Sequence, residues 1–268
     1  GNHAAKAAIS PVVSVVVPTH NRRELLREAI SSVLAQTLRD FELIVVSDGS
    51  TDDTRSVIQS FADPRIMFVE QPASGRPSVP RNRGIALARG RFVAFCDDDD
   101  VWDRRKLEKQ VALMEMHPAA GLCYTNSVTL RNGEIGKASR IRRGRFSKDF
   151  AGLIWKNTIC NSSVVVRREV FERVGQLDED PRLCPFDDYE IWLRIARHFP
   201  LIYLDEPLVY YRIHNQNIVA RHADRELITI RVLWAAMRKL RTHTLSFAMS
   251  IALRYGKLDD GVMAFSSP

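Results

Sequence analysis

Two short β-branched runs limit what this chain can fold into. Residues 12–17, Val-Val-Ser-Val-Val-Val, and 41–46, Phe-Glu-Leu-Ile-Val-Val, are almost continuously apolar. The first stops at Pro18 and the second at Ser47-Asp48-Gly49-Ser50. Runs this short and valine-rich read as strands buried on both faces of a parallel sheet. Between them, residues 22–36 place Leu25, Leu26, Ala29, Ile30, Val33 and Leu34 at helical spacing. Strand, helix and strand make a βαβ unit.

The alternation continues. Residues 52–61 predict a helix with Val57, Ile58 and Phe61 inward, and residues 65–69 a third strand. Residues 85–88 close a helix that Gly90 ends, and 92–96 form another apolar strand. The expectation is an α/β fold with a doubly wound, mostly parallel central sheet flanked by helices. After Trp102 the pattern changes: helices at 106–116, 169–174 and 188–198, and strands at 121–128, 162–166, 201–204 and 208–211. The last two strands flank a turn at Asp205-Glu206-Pro207, and the basic stretch 140–145 reads as a mobile loop. Beyond His222, Leu227, Ile230, Leu233, Trp234, Met237 and Leu240 recur at helical spacing among Arg231, Arg238, Lys239 and Arg241. Such a basic amphipathic extension either rests on an anionic membrane surface or packs on the rest of the chain or a partner.

Composition narrows the class. The 268 residues are 45% hydrophobic and 26% charged, as in globular proteins. A net charge of +7 and a pI near 9.4 point to an anionic partner. No basic repeat interleaved with aromatics and no helix-turn-helix pattern supports nucleic acid. Cys96, Cys123, Cys160 and Cys184 lack Cys-x-x-Cys spacing, so free thiols in a reducing compartment are expected. The opening residues lack a signal-peptide pattern, and no apolar run reaches about 18 residues. The expected location is the cytoplasm, peripheral to the inner face of a membrane if the extension binds lipid. Residues 1–11 are expected to be a disordered or vector-derived arm.

Four consecutive carboxylates, Asp97, Asp98, Asp99 and Asp100, end the 92–96 strand. The carboxyl edge of an open α/β sheet is where ligands bind. Clustered carboxylates repel and raise one another's pKa unless a cation intervenes, and a hard divalent ion suits oxygen ligands. On the run alone, a metal site and a solvated acidic loop stay open. Asp48 lies on the same edge, where it can hydrogen-bond a base or ribose. Asp52 and Asp53 read as ordinary first-turn acids behind a Ser50 or Thr51 cap, and Asp187 as helix capping. Arg76, Arg81 and Arg83 precede or open a helix in a flexible basic segment suited to phosphate. Pro18-Thr19-His20-Asn21-Arg22 sits at a strand-to-helix junction. His214, past a strand end, could complete a metal shell.

In order, these segments resemble the family 2 glycosyltransferases, which have a GT-A fold. The matching residues are Val15-Val16-Val17-Pro18-Thr19-His20-Asn21-Arg22, Asp48-Gly49-Ser50-Thr51-Asp52-Asp53-Thr54, Arg81-Asn82-Arg83-Gly84, Phe95-Cys96-Asp97-Asp98-Asp99-Asp100-Val101-Trp102, Asp187-Asp188-Tyr189-Glu190-Ile191-Trp192-Leu193-Arg194 and Tyr211-Arg212-Ile213-His214. The resemblance implies inverting transfer of a sugar from a nucleoside diphosphate donor, usually a UDP-sugar, to a glycan or lipid-linked acceptor. It implies a catalytic domain over 12–216, split at about residue 102 into donor and acceptor halves, and a helical extension over 217–268. Pro18, Thr19, Arg22, Asp48, Arg81, Asn82, Asp97 and Asp98 would then surround the nucleotide. Asp99 and His214 would hold Mn2+ or Mg2+, and Asp188 would be the general base. Ser47, Pro80 and Asp187 depart from the family's usual residues. The alternative is an inactive nucleotide-sugar-binding or scaffolding protein of the same fold. Nucleotidyltransferases and dinucleotide oxidoreductases are disfavoured, because no glycine-rich phosphate loop follows the first strand.

Overall fold

The computed structural model describes residues 10–138, 150–214 and 225–240. The expected basic loop at 140–145, most of the N-terminal arm and residues 217–224 and 241–268 of the extension lie outside them. The first half follows the anticipated alternation: β1 (Val13–Thr19), α1 (Arg23–Leu34), β2 (Phe41–Asp48), α2 (Thr54–Gln59), β3 (Ile66–Gln71), α3 (Ser78–Leu87) and β4 (Phe92–Phe95). There follow β5 (Val101–Trp102), α4 (Lys106–Met116), β6 (Leu122–Arg131), β7 (Glu134–Ala138), α5 (Phe150–Trp155) and a 3-10 turn at Asn161–Ser163. The chain then forms β8 (Val165–Arg167), α6 (Val170–Val174), a second 3-10 turn at Pro181–Leu183, α7 (Asp187–His198), β9 (Leu201–Arg212) and α8 (Arg225–Leu240).

The nine strands of the described residues join one mixed sheet in the order β3-β2-β1-β4-β8-β6-β9-β5, with β7 on β6. Its first four strands are parallel, while β8 runs antiparallel to both β4 and β6. Successive side chains of a strand point to opposite faces. Val13, Val15 and Val17 therefore meet Leu26, Ala29, Ile30 and Val33 of α1 on one face. Val16, Ile44, Val46 and Phe95 meet Ile85 of α3 and Trp192 of α7 on the other. Gly84 lets α3 lie close on β1, since a Cβ there would overlap Val16 Cγ1 and stand 2.9 Å from Cγ2.

Several boundaries differ from the sequence expectation, for local reasons. Pro18 does not stop β1, which runs on to Thr19 beside β2. Val16 O accepts from Cys96 N on the β4 side, and backbone direction alternates, so the nitrogen of Pro18 faces that side too. There β4 has ended at Phe95, and no ladder donor is lost. The two strands expected around Pro207 are one strand, β9, which absorbs the proline through register shifts opposite Asn126. Residues 162 and 163, expected to begin a strand, belong to a 3-10 turn at Asn161–Ser163. At α2, Asp52 rather than Ser50 or Thr51 takes the capping role, its Oδ1 accepting from Thr54 N at 3.2 Å.

The described part of the basic extension packs on the rest of the chain. Ile228, Val232, Leu233, Ala236 and Met237 of α8 are buried in the same cluster as Trp192 and Ile195. Lys239 Nζ lies 2.8 Å from Asp178 Oδ2 and 3.6 Å from Glu190 Oε1. Among the described residues no helix is long and apolar enough to cross a membrane.

A buried carboxylate ties the sheet to the α3–β4 connection. Glu42, 4% exposed, accepts from Ser14 Oγ at 2.6 Å and from Arg89 N, Nε and Nη2 at 2.8, 2.9 and 2.7 Å. Burial alone would raise its pKa, but these donors outweigh it and hold the group below its ordinary value. A depressed folded pKa stabilises above the unfolded pKa of about 4.5, and that contribution is lost as pH falls further. Thermal midpoints of Glu42→Gln should therefore fall short of the wild type at neutral pH and converge with it in acid. A constant gap down to acid pH would contradict this account.

Candidate active site

The carboxylate run leaves β4 and enters β5, and each acid is met by a different part of the chain. Asp97 Oδ1 accepts from Arg81 Nη2 at 2.7 Å and from Asn161 Nδ2 at 2.8 Å. Asp98 accepts from Thr19 Oγ1 at 2.8 Å and from Arg22 Nη1 at 2.9 Å. Arg22 Nη1 also reaches Asp99 Oδ2 at 2.9 Å, where His214 Nε2 stands at 2.9 Å from the other side. Asp100, fully buried, accepts from Ser162 Oγ at 2.5 Å and Arg212 N at 3.0 Å. The run is thus a built shelf and not a solvated loop. A cleft of about 530 Å³ lined by Asn21, Arg22, Asp52 and His214 opens beside it.

These environments separate the titrations. Burial pushes Asp98 up to about 6, with Arg22 opposing and Asp99 adding to the rise. Asp100 is raised well above its ordinary value by burial and by the charges of Asp99 and Asp97. Three of the acids face donors that a ligand or ion can rearrange. Asp100 instead holds the shelf to β9 and the 161–163 turn.

A second cluster begins where Asp97 ends. Arg81, 6% exposed, donates from Nη1 to Asp187 Oδ2 at 3.2 Å as well as to Asp97. Burial opposes the guanidinium charge, but Asp97, Asp187 and Asp188 together outweigh it. Asp187 was expected to cap α7; instead it is 1% exposed, makes no cap hydrogen bond and serves as the counter-charge of Arg81. Next to it, Asp188 Oδ1 accepts from Tyr189 N at 2.7 Å. Burial first, and then the charge of Asp187, push Asp188 up to about 7 against the pull of Arg81. A carboxyl group that titrates near neutrality suits general-base work.

Asp48 and Asn82 stand apart from both clusters. The Asp48 carboxylate accepts from Gln71 Nε2 at 2.8 Å, Ser74 N at 3.0 Å and Ser74 Oγ at 2.8 Å, so it shapes the 71–75 loop. Gly49, with φ +70, lets that loop approach, since a Cβ would lie 2.6 Å from Ala73 N. Asn82 donates to Leu177 O at 3.0 Å and Glu179 Oε1 at 2.8 Å, and accepts from Leu177 N at 2.9 Å. Its amide clamps the segment leading to α7. Pro18 is buried at the end of β1 beside Thr19.

The model of the glycosyl transferase family 2 matches residues 14–175, more than half of the chain. The chain belongs to family 2 of the glycosyltransferases. An uncharacterized glycosyltransferase of Nostoc sp. is 34% identical over 213 residues, 76% of this chain and 66% of that protein. The putative teichuronic acid biosynthesis glycosyltransferase TuaG of Bacillus subtilis is 32% identical over 213 residues, 78% of this chain and 81% of its own. WfgD of Escherichia coli, a UDP-Glc:α-D-GlcNAc-diphosphoundecaprenol β-1,3-glucosyltransferase, is 30% identical over 189 residues, 69% and 70% of the two chains. Among solved structures, residues 1–349 of S. aureus TarS with UDP-GlcNAc superimpose with a TM-score of 0.73 at 19% identity, covering 90% of this chain and 71% of that one. The Pyrobaculum calidifontis mannosyltransferase PcManGT, with GDP-Man and Mn2+, gives 0.66 at 19% identity, covering 97% and 77%. At that identity the likeness is one of fold.

Three contributors to the carboxylate shelf are not evident from the sequence: Asn161, Ser162 and the Arg212 backbone. Their only signal is a polar triplet, Asn161-Ser162-Ser163, ahead of an apolar run, whose two serines the sequence pattern places at the start of a strand. Replacing Asp100 by alanine would leave Ser162 Oγ and Arg212 N without a buried acceptor. That loss should destabilise the fold by about 1–3 kcal/mol, read as a lower midpoint in denaturant. Unchanged stability would mean that Asp100 is not a strut.

Proposed function

We propose that this chain transfers a sugar, with inversion, from a nucleoside diphosphate sugar to the hydroxyl of a lipid-linked glycan. The observation that carries this is the pairing of the Asp97 to Asp99 shelf with Asp188, a carboxyl group titrating near pH 7, across the buried Arg81. Thr19, Arg22, Asp97 and Asp98 form the donor edge, with Pro18 beside it. Asp48 would engage the nucleobase or ribose from its loop-bound position, and Asn82 acts by holding the 177–179 segment. A UDP donor is supported by what TarS and WfgD bind or use, and a lipid-linked acceptor by the name of WfgD. PcManGT, which carries GDP-Man, marks the nucleobase as the finer point to test.

Among the described residues no three His, Cys, Asp or Glu side chains form a ready metal cage. Asp99 Oδ2 and His214 Nε2 nevertheless stand 2.9 Å apart. Adjacent ligands of an octahedral ion with bonds of about 2.1 Å lie about 3 Å apart, so the pair fits two such positions. Mg2+ and similar ions usually take few protein ligands and complete their shell with water and phosphate. Asp99 and His214 would hold Mn2+ or Mg2+, which supplies Lewis-acid stabilisation of the charge on the departing diphosphate. Arg22 adds positive charge on the same edge. Asp188 takes the proton from the acceptor hydroxyl as its oxygen attacks the anomeric carbon, opposite the leaving group, and the configuration inverts.

Two measurements test this. UDP at about 100 times its dissociation constant should stabilise the protein by roughly 2.7 kcal/mol with Mn2+ present. Asp99→Asn should abolish the Mn2+-dependent part, and equal stabilisation in chelator would sink the metal assignment. The deprotonated form of Asp188 is the active one, so kcat/KM should climb with pH through a midpoint near 7. Asp188→Asn should lose about 10²- to 10⁴-fold in turnover while still binding UDP. An active Asp188→Asn enzyme would assign the base elsewhere.

A further inference from the structure

One hydroxyl joins the two ends of the acidic run. Ser162 Oγ accepts from Asp97 N at 3.0 Å and donates to Asp100 Oδ2 at 2.5 Å. Asp100 N also donates to Asp97 O at 3.1 Å, which closes the run into a turn. Asp98 and Asp99 lie between these two pinned ends, so the position of Ser162 governs where their carboxylates stand. Ser162 is held in its turn by its carbonyl, which accepts from Trp102 Nε1 at 2.9 Å. The next carbonyl, Ser163 O, accepts from Gln110 Nε2 of α4 at 2.9 Å.

Lys106 lies one turn before Gln110 on α4, and its Nζ stands 3.9 Å from the centre of the Trp102 ring. The residue is fully buried, and Nζ makes no hydrogen bond among the described residues. Burial pushes the amine down to about 7, with Cys96, Cys123 and Cys160 opposing. A leucine or methionine would fill this place without burying an amine, which is costly when it is unpaired. What the amine adds is N–H groups over the electron-rich face of the indole. They draw density from the ring and make Nε1–H a stronger donor to Ser162 O, because neighbouring polar contacts in a dry interior polarise one another. We propose that Lys106 is a positioning residue for sugar transfer, acting through Trp102 and Ser162 on the geometry of the Asp97–Asp100 run. This rests on the donor-site reading above, in which Asp99 of that run holds the metal.

The test measures UDP affinity by titration calorimetry, in Mn2+ and in chelator, for the wild type, Lys106→Met, Trp102→Phe and the double variant. Lys106→Met keeps an unbranched stem and removes the amine; Trp102→Phe keeps an aromatic ring and removes the N–H donor. In Mn2+ each single variant should bind UDP about 2- to 13-fold more weakly, the worth of one hydrogen bond. Affinity in chelator should stay within about twofold. The double variant should be no weaker than Trp102→Phe alone, because Lys106 acts through that indole. The thermal midpoint of Lys106→Met should not fall, since an unpaired buried amine is removed, and a purely structural lysine would lower midpoint and affinity together. Unchanged Mn2+-dependent affinity in the single variants would overturn the proposal, as would fully additive losses in the double variant. If midpoints show that one single variant fails to fold, the other decides alone. A wild type that binds UDP equally in Mn2+ and in chelator would overturn the metal assignment itself, and this inference with it.

Discussion

Four adjacent carboxylates at a sheet edge repel one another, and the way this chain answers that repulsion organises its whole carboxyl edge. Each acid is met by donors brought from far along the sequence: Arg81 and Asn161 for Asp97, Thr19 and Arg22 for Asp98, Arg22 and His214 for Asp99, Ser162 and the Arg212 amide for Asp100. The shelf exists only while β1, α3, the 161–163 turn and β9 are all in place. Folding and assembly of the site are therefore one event.

Within that shelf the same residue type performs different tasks because burial and partners differ. Asp100 is sealed behind the others and acts as a strut. Asp98, raised to about 6 by burial against the pull of Arg22, and Asp99, shared by Arg22 and His214, hold exchangeable positive partners. Arg81 connects this edge to Asp187 and, through its charge, to Asp188. A buried arginine between two carboxylates is costly to desolvate, so its worth lies in geometry more than in stability. It keeps the carboxylate shelf and the candidate base at a set separation.

The α/β class, the βαβ opening and the carboxyl-edge position of Asp48 and the acidic run were legible because strands buried on both faces write a continuous apolar signature. So was the order of the motifs along the chain. Strand limits in the second half were less legible. Pro207 looked like a turn because a proline lacks a donor, yet β9 accommodates it through a register shift that depends on β6. Asp187 looked like a cap, because acids at helix starts usually are, and only its proximity to Arg81, more than a hundred residues earlier, gives it another task. The apolar stripe of α8 was compatible with membrane or protein, and the packing of Ile228, Val232 and Leu233 on the core around α7 shows where its described part lies.

By itself the sequence determined which residues can carry charge, which runs must be buried and which edge of the sheet collects the acids. These follow from local periodicity and from side-chain chemistry within a few residues. Only the tertiary structure decided which acid is a strut, which is paired with arginine and which titrates near neutrality. Those properties depend on desolvation and on partners tens to more than a hundred residues away, and neither is encoded in any one segment.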